Sequence, residues 1–263
     1  MANAEECFRQ GDLSACLTLL QAEVRRRPED VRQRVFLVQV LMVLGEWERA
    51  LTQLGVLKEL DANALPMVHS YGAAIQCERL RAAVFRGERS PLLFGEPEPW
   101  MAEMVQAVGL QAQGHGSEAA ALRSGALEAA PATAGMLNGS ISFEWLADAD
   151  LRLGPMLEVL LNGSYYWVPM HRVQEIRVEA PADIRDLVWL PAEFVWANGG
   201  EAVGFIPTRY PGSESSTDNA IRLARKTEWV DGDVGLGQRL LASDQAELPL
   251  LELRSVKFEP SSA

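Results

Sequence analysis

A chain of 263 residues, 48% apolar and 23% charged, is long enough for one large domain or two ordinary ones with real cores. Its formal net charge of -12 excludes a nucleic-acid backbone or an anionic membrane as the main partner, because both require a positive face. The acidity is uneven: residues 1–131 carry 13 basic and 17 acidic side chains, residues 132–263 carry 11 and 19.

Two glycines 34 residues apart open the chain's clearest pattern. Gly11-Asp12-Leu13 and Cys16-Leu17 fall opposite Gly45-Glu46-Trp47 and Ala50-Leu51, and Leu20 falls opposite Leu54. A period of 34 is that of the tetratricopeptide repeat, two antiparallel helices per unit, which must stack on neighbours to bury its apolar face. A weaker third echo places Gly114 and Pro131 at the same 17-residue separation as Gly11 and Pro28. The spacing predicts helices over Ala4–Gln10, Leu13–Arg26, Val31–Leu44, Trp47–Leu60, Met67–Phe85, Trp100–Ala112 and Ser117–Ala130. Pro28 stops the second of these, and Asp30 is placed to N-cap the third. Leu92–Pro99, rich in Pro, Gly and Glu, reads as a loop. The longest apolar run, Val35–Leu44, is interrupted by Gln39 and falls short of the roughly 20 residues that span a bilayer. The N-terminus lacks a basic stretch followed by an apolar one, so no secretory leader is expected. Cys7, Cys16 and Cys77 show no CxxC spacing and read as buried reduced thiols of a cytoplasmic protein.

Beyond residue 132 the pattern changes to β-branched and aromatic residues. Asn162-Gly163 separates Leu157–Leu161 from Tyr165–Val168, and Asn198-Gly199-Gly200 separates Phe194–Trp196 from Ala202–Ile206. Asn-Gly accepts positive φ at low cost, as a tight hairpin requires. Further strands are expected at Glu175–Val178, Glu228–Val230, Gly237–Leu241 and Leu250–Lys257, with Glu259–Ala263 frayed. The predicted fold is α+β in two parts: tetratricopeptide-like helical hairpins over residues 1–132, then a mostly antiparallel β domain over 133–263.

The polar clusters admit competing readings. Asp148, Asp150 and Arg152 form either a charged turn capping backbone amides or a catalytic pair with its arginine. Pro207–Glu214 either presents Arg209 and Tyr210 to a partner or is a loop locked by its prolines. Arg222, Arg225, Lys226 and Arg239 are expected to make internal ion pairs. His69, His115 and His171 have no metal-site spacing, and no phosphate-binding or nucleophile-elbow motif occurs, so no metal, cofactor or catalytic residue is assigned.

Several long strings then resemble one family: GEWERALTQL, ELDANALPM, YGAAIQCERLRAAVF and RSPLLFGEPEPW, followed by WLADADLRLGPMLEVLLNGSYYWVP, APADIRDLVWLPAEFVWANGGE, IPTRYPGSE, LARKTEW and GLGQRLLASD. Together they span about Gly11 to Phe258 and are similar to the ImpE (SciE, TagJ) family. The resemblance implies an accessory protein of the bacterial type VI secretion system with a repeat-like helical part and a β-containing part. It implies a partner, the N-terminal helix of the small sheath subunit, and through it an indirect link to sheath recycling by the ClpV ATPase. It carries over no catalytic residues. An amphipathic helix would be gripped in a groove by apolar anchors. Two places for that groove are open: the helical part around Trp47, Leu51 and Leu54, or an aromatic surface around Tyr165, Trp167, Arg209 and Tyr210. The alternatives to an adaptor are a chaperone for unassembled sheath subunits and a hydrolase built on Asp148 and Asp150.

Overall fold

The computed structural model describes residues 3–259. Seven helices occupy the first part: α1 (Ala4–Gln10), α2 (Leu13–Arg26), α3 (Val31–Val43), α4 (Trp47–Leu60), α5 (Leu65–Phe85), α6 (Pro99–Ala112) and α7 (Gly116–Ala129). The glycine period predicted their joints. Gly11 (φ 83°) and Gly45 (φ 70°) sit in the left-handed region at equivalent corners, one turning α1 into α2 and the other α3 into α4. Asp12 and Asp30 each accept a backbone N–H three residues on, from Ala15 at 2.9 Å and Gln33 at 3.1 Å, which caps α2 and α3. Helix α5 begins two residues earlier than the periodicity predicts, with Pro66 in its first turn where no N–H partner is needed.

The strands are β1 (Leu92–Leu93), β2 (Gly135–Leu137), β3 (Ile141–Phe143), β4 (Leu146–Asp148), β5 (Met156–Leu161), β6 (Ser164–Pro169), β7 (Val173–Arg177), β8 (Trp189–Trp196) and β9 (Glu201–Pro207). A one-turn helix, α8 (Asn219–Arg222), precedes β10 (Thr227–Val230), β11 (Val234–Gly237), β12 (Leu240–Ser243), β13 (Glu247–Pro249) and β14 (Ser255–Phe258). Nine of them form one sheet in the order β1-β6-β5-β9-β8-β7-β14-β2-β3. All its pairings are antiparallel except β1 with β6. Both Asn-Gly hairpins form. At the first, Asn162 (φ 51°) and Gly163 (φ 76°) supply the two positive φ values of a primed turn.

Four expectations are corrected, the first being the strand over Leu250–Lys257, which is a 3-10 turn at Leu250–Glu252 followed by β14 from Ser255. Leu92 and Leu93 are not loop: they add an edge strand beside Tyr166 and Trp167, so the helical part contributes to the sheet. The strand expected over Gly237–Leu241 is broken at Gln238-Arg239, because Arg239 turns its side chain into the core between β11 and β12. Glu259 is not frayed, since its N–H donates to the Ala134 carbonyl at 2.9 Å; residues 260–263 lie outside the described residues.

The sheet has a core on each face. On β5, Met156 and Leu160 point toward the helices, while Leu157, Val159 and Leu161 join a second core with Leu190, Phe194 and Val256. This two-sided burial explains why β5 lacks the polar alternation of a half-exposed strand. The helical face is aromatic. Trp47 stacks on Trp189 with centroids 6.1 Å apart, Tyr71 meets the same ring edge-on, and Phe85 packs on Trp167.

Glu158 shares the helix-facing side of β5 with Met156 and Leu160, and it is fully buried. Arg81 of α5 grips both its oxygens, at 2.7 and 2.9 Å. Arg239 and the Tyr165 hydroxyl donate to the same carboxylate, and Trp167 donates to the Tyr165 oxygen at 2.6 Å. One turn earlier on α5, Glu78 accepts from Trp189 at 2.9 Å. Burial alone raises a carboxyl's pKa, but the two guanidiniums outweigh it and hold Glu158 down at about 2. Replacing Glu158 by Ala removes the carboxylate shared by both buried guanidiniums and leaves Arg81 with Glu78 and Arg239 with Asp148 alone. Chemical denaturation is expected to show a loss of roughly 3–5 kcal/mol; a loss under about 1 kcal/mol would mean that this carboxylate does not hold the two parts together.

Candidate partner groove

The residues singled out by the sequence as a partner surface are packed inside the fold. Tyr165, Trp167, Arg209 and Tyr210 are all buried, so they form no aromatic surface. Tyr165 and Trp167 belong to the Glu158 cluster. Arg209 donates to the Val43 carbonyl at 2.7 Å and the Arg222 carbonyl at 2.5 Å, closing the C-terminus of α3. Burial pushes its guanidinium down to about 10. Tyr210 lies under Arg239, whose guanidinium carbon is 5.4 Å from the ring centroid. In the helical part, Leu54 is buried and Trp47 and Leu51 pack on the same core, so these repeat positions hold the fold.

The Asp148, Asp150 and Arg152 cluster is a strut. Asp148 is paired with Arg239 and accepts the Asp150 N–H at 2.8 Å. Asp150 accepts the Arg152 backbone N–H at 3.0 Å, takes its guanidinium at 2.5–3.1 Å, and accepts the Gly235 N–H at 3.0 Å. Arg152 in turn lies over the Phe85 ring of α5, 4.9 Å from its centroid. The two aspartates are buried and spent on these contacts. Of the remaining basic residues, Lys226 makes the expected ion pairs, with Asp218 at 2.6 Å and Glu228 at 2.5 Å. Among the described residues no group of three His, Cys, Asp or Glu is placed to hold a metal ion. Cys7, Cys16 and Cys77 are buried thiols without a disulfide partner.

What the strut positions is a groove. Asp150 pins the turn that carries Leu151, and through Gly235 it pins the β10–β11 hairpin that carries Trp229. Between them, closed on the far side by Leu127 in the last turn of α7, by Ala130 and Pro131 after it and by Trp145 before β4, lies an open cavity of about 630 Å³. Its walls are mostly apolar, and Asp233 and Glu247 stand among its lining residues. Trp145, Leu151 and Trp229 are 41%, 43% and 39% exposed, an unusual concentration of large apolar side chains around one opening. Trp229 rests on Tyr210 with centroids 5.8 Å apart. Gly235 makes this approach possible, because a Cβ there would sit 2.3 Å from the Tyr210 ring.

Sequence reasoning passed over Trp145 and Trp229 because a tryptophan in a β-rich segment reads as core. A signal was available for Trp229. Its hairpin turns at Asp231-Gly232-Asp233 and has only two strands, too few to bury both faces. The same blind spot covers Glu78, Arg81 and Glu158. Each is a charge at a position its apolar stripe reserves for the core, and that violation is itself the signal.

The family model of the ImpE protein matches residues 140–257. The type VI secretion system accessory component TagJ of Pseudomonas aeruginosa is 51% identical over 260 residues, covering 99% of this chain and 92% of that protein. The crystal structure of a Vibrio parahaemolyticus protein superposes with a TM-score of 0.88 at 24% identity, over 97% of both chains. That last likeness establishes the α+β architecture.

Burial pushes the Asp148 carboxyl up to about 6, with Asp150 adding to the rise and Arg239 opposing it. A carboxyl that binds its proton more tightly folded than unfolded loses stabilising influence as pH rises from its unfolded value to its folded one. The stability of the native chain relative to Asp148→Asn is therefore expected to fall between pH 4 and 6 and to level off above. Denaturant midpoints of both proteins across that range check it; parallel pH curves would show that Asp148 is ionised throughout.

Proposed function

The chain belongs to the ImpE family of type VI secretion accessory proteins, and we propose that within that system it is a non-enzymatic adaptor whose groove seats the N-terminal helix of the small sheath subunit. Its link to the ClpV ATPase is indirect, made through the sheath subunit it holds. One observation carries this reading: Trp145, Leu151 and Trp229 stand exposed around a single apolar cavity.

The physical chemistry suits a helix. A cavity of about 630 Å³ takes a few side chains and not a whole domain, which corresponds to the anchors that an amphipathic helix presents at i, i+3, i+4 and i+7. Covering Trp145, Leu151 and Trp229 removes large apolar surface from water, at roughly 25 cal/mol per Å² before the costs of association. Tryptophan anchors with few rotatable bonds lose little entropy on binding. The rim is preorganised, because Asp150 holds both the Leu151 turn and the β10–β11 hairpin before a partner arrives. The long-range field of a chain with net charge -12 steers toward a segment with basic flanks and away from nucleic acid and anionic lipid. Among the described residues no helix is long and apolar enough to cross a membrane.

Titration of the full chain with a synthetic peptide of the cognate small subunit's N-terminal helix tests the reading, with a scrambled peptide and an unrelated amphipathic helix as controls. Leu151→Asp and Trp229→Ala are each expected to weaken binding at least about tenfold, a hot-spot effect of over 1 kcal/mol, with unchanged unfolding midpoints. Equal binding of the scrambled peptide, or variants that bind like the native chain, would remove the groove from the proposal. Similar affinity for the unrelated helix would point to a chaperone.

A further inference from the structure

A second pocket lies far along the chain from the groove, where α2, α3 and α4 converge. It has a volume of about 280 Å³, and Arg25, Arg34 and Arg49 line it together with Gln53, Leu37 and Leu41. Arg34 is only 7% exposed. It donates from Nη1 to Gln53 Oε1 at 2.6 Å and from Nη2 to the Pro28 carbonyl at 2.6 Å, both neutral acceptors. Its buried Nε has no hydrogen-bond partner. Among the described residues no carboxylate comes within ion-pair distance of Arg34. The other buried arginines are compensated. Arg81, Arg123 and Arg239 each hold a carboxylate, and Arg209 faces the C-terminal carbonyls of α3, where the helix dipole is negative. Arg34 sits in the first turns of the same helix, where the dipole adds to its positive charge. Asp30, one turn earlier, is spent on capping the helix through Gln33. Arg49 has Glu46 as its partner, and Arg25 has none among the described residues, so the pocket holds three guanidiniums against one carboxylate at its edge.

We propose that this pocket binds the carboxylate of an acidic peptide segment. A buried guanidinium with neutral partners alone is costly, and an entering carboxylate supplies the missing charge in the paired geometry that guanidinium favours. The aliphatic wall decides the class of ligand. Leu37 and Leu41 are already covered by the core, so the apolar lining that stays accessible is half-buried Val24, which an aliphatic neighbour of a Glu or Asp side chain reaches and a lone oxyanion does not. The site runs against the chain's net charge of -12. It does not depend on the sheath-helix groove, and its test involves neither Leu151 nor Trp229.

The experiment titrates the full chain with acetylated, amidated Leu-Glu-Glu-Leu at low ionic strength, where charge pairing is least screened. The Leu-Gln-Gln-Leu peptide and inorganic phosphate serve as comparisons, and binding is followed by calorimetry and by the unfolding midpoint. The acidic peptide is expected to bind saturably, at least about tenfold tighter than its amide analogue, and to raise the unfolding midpoint as a native-state ligand must. Arg25→Glu and Arg49→Glu lie on exposed positions and are expected to weaken it at least about fivefold with the fold intact; Arg34→Met is expected to abolish it. No binding by about 1 mM, equal binding of the amide peptide, or indifference to the Arg25 and Arg49 variants would overturn the proposal. Phosphate binding as tight as the peptide's would overturn the peptide class and leave an inorganic oxyanion site.

Discussion

Glu158 is the carboxylate on which the two parts of the chain close. It stands on a strand that is apolar on both faces, at a position whose neighbours two residues away, Met156 and Leu160, are core. A lone carboxylate there would be untenable. It is tolerated because Arg81 arrives from α5 and Arg239 from the segment before β12, each donating to it, with Tyr165 filling the remaining acceptor capacity. Each arginine has a second carboxylate beside it, Glu78 for Arg81 and Asp148 for Arg239, but only Glu158 is shared by both. The three charges come from sequence positions 81, 158 and 239, so none can be buried until helix, sheet and the strand after Arg239 are all in place. Apolar packing alone would let α5 slide on the sheet. Bidentate geometry between Arg81 and Glu158 fixes its register.

From that carboxylate a continuous line of charge-assisted contacts runs to the groove. Arg239 bridges Glu158 to Asp148, Asp148 receives the Asp150 N–H, and Asp150 holds both Arg152 and Gly235. Arg152 then returns to α5 by lying on Phe85. The turn bearing Leu151 and the hairpin bearing Trp229 are therefore tied, through buried atoms, to the helix–sheet contact. The acidic pair, which the sequence left open between a charged turn and a catalytic pair, is placed so that exposed apolar residues are held at a fixed spacing. This is the arrangement a groove needs if the entropy of ordering its rim is to be met on folding and not on binding.

The sequence disclosed the parts of the fold that rest on local chemistry. Gly11 and Gly45 announced the helical corners because a positive φ is a local demand, and Asn162-Gly163 announced a hairpin for the same reason. Asp30 announced the start of α3 through a bond to Gln33, three residues away. What stayed hidden rests on contacts between distant residues. Leu92 and Leu93 become strand only because Tyr166 and Trp167 offer an edge. Tyr165, Trp167 and Tyr210 read as surface anchors because a polar ring tip looks like an interface residue, yet their hydroxyl and indole groups find buried partners. Trp145 and Trp229 carried no signal of exposure because nothing local distinguishes an exposed tryptophan from a buried one.

The same contacts explain why the helical repeats do not offer their broad face to a partner. Stacked helical hairpins commonly present such a face for binding. Here Trp47, Tyr71 and Phe85 are spent on Trp189 and Trp167, so the chain's own sheet occupies it. Where α2, α3 and α4 converge, the accessible surface is narrower and polar, and Arg25, Arg34 and Arg49 meet there. The apolar opening has moved to the far end of the strut, between the end of α7 and the small β10–β11 hairpin. The two proposed sites thus differ in chemistry for a structural reason. The sheet has absorbed the repeats' apolar surface and left them a charge to satisfy, while the two-stranded hairpin, too small to cover its own tryptophan, leaves apolar surface for another molecule to cover.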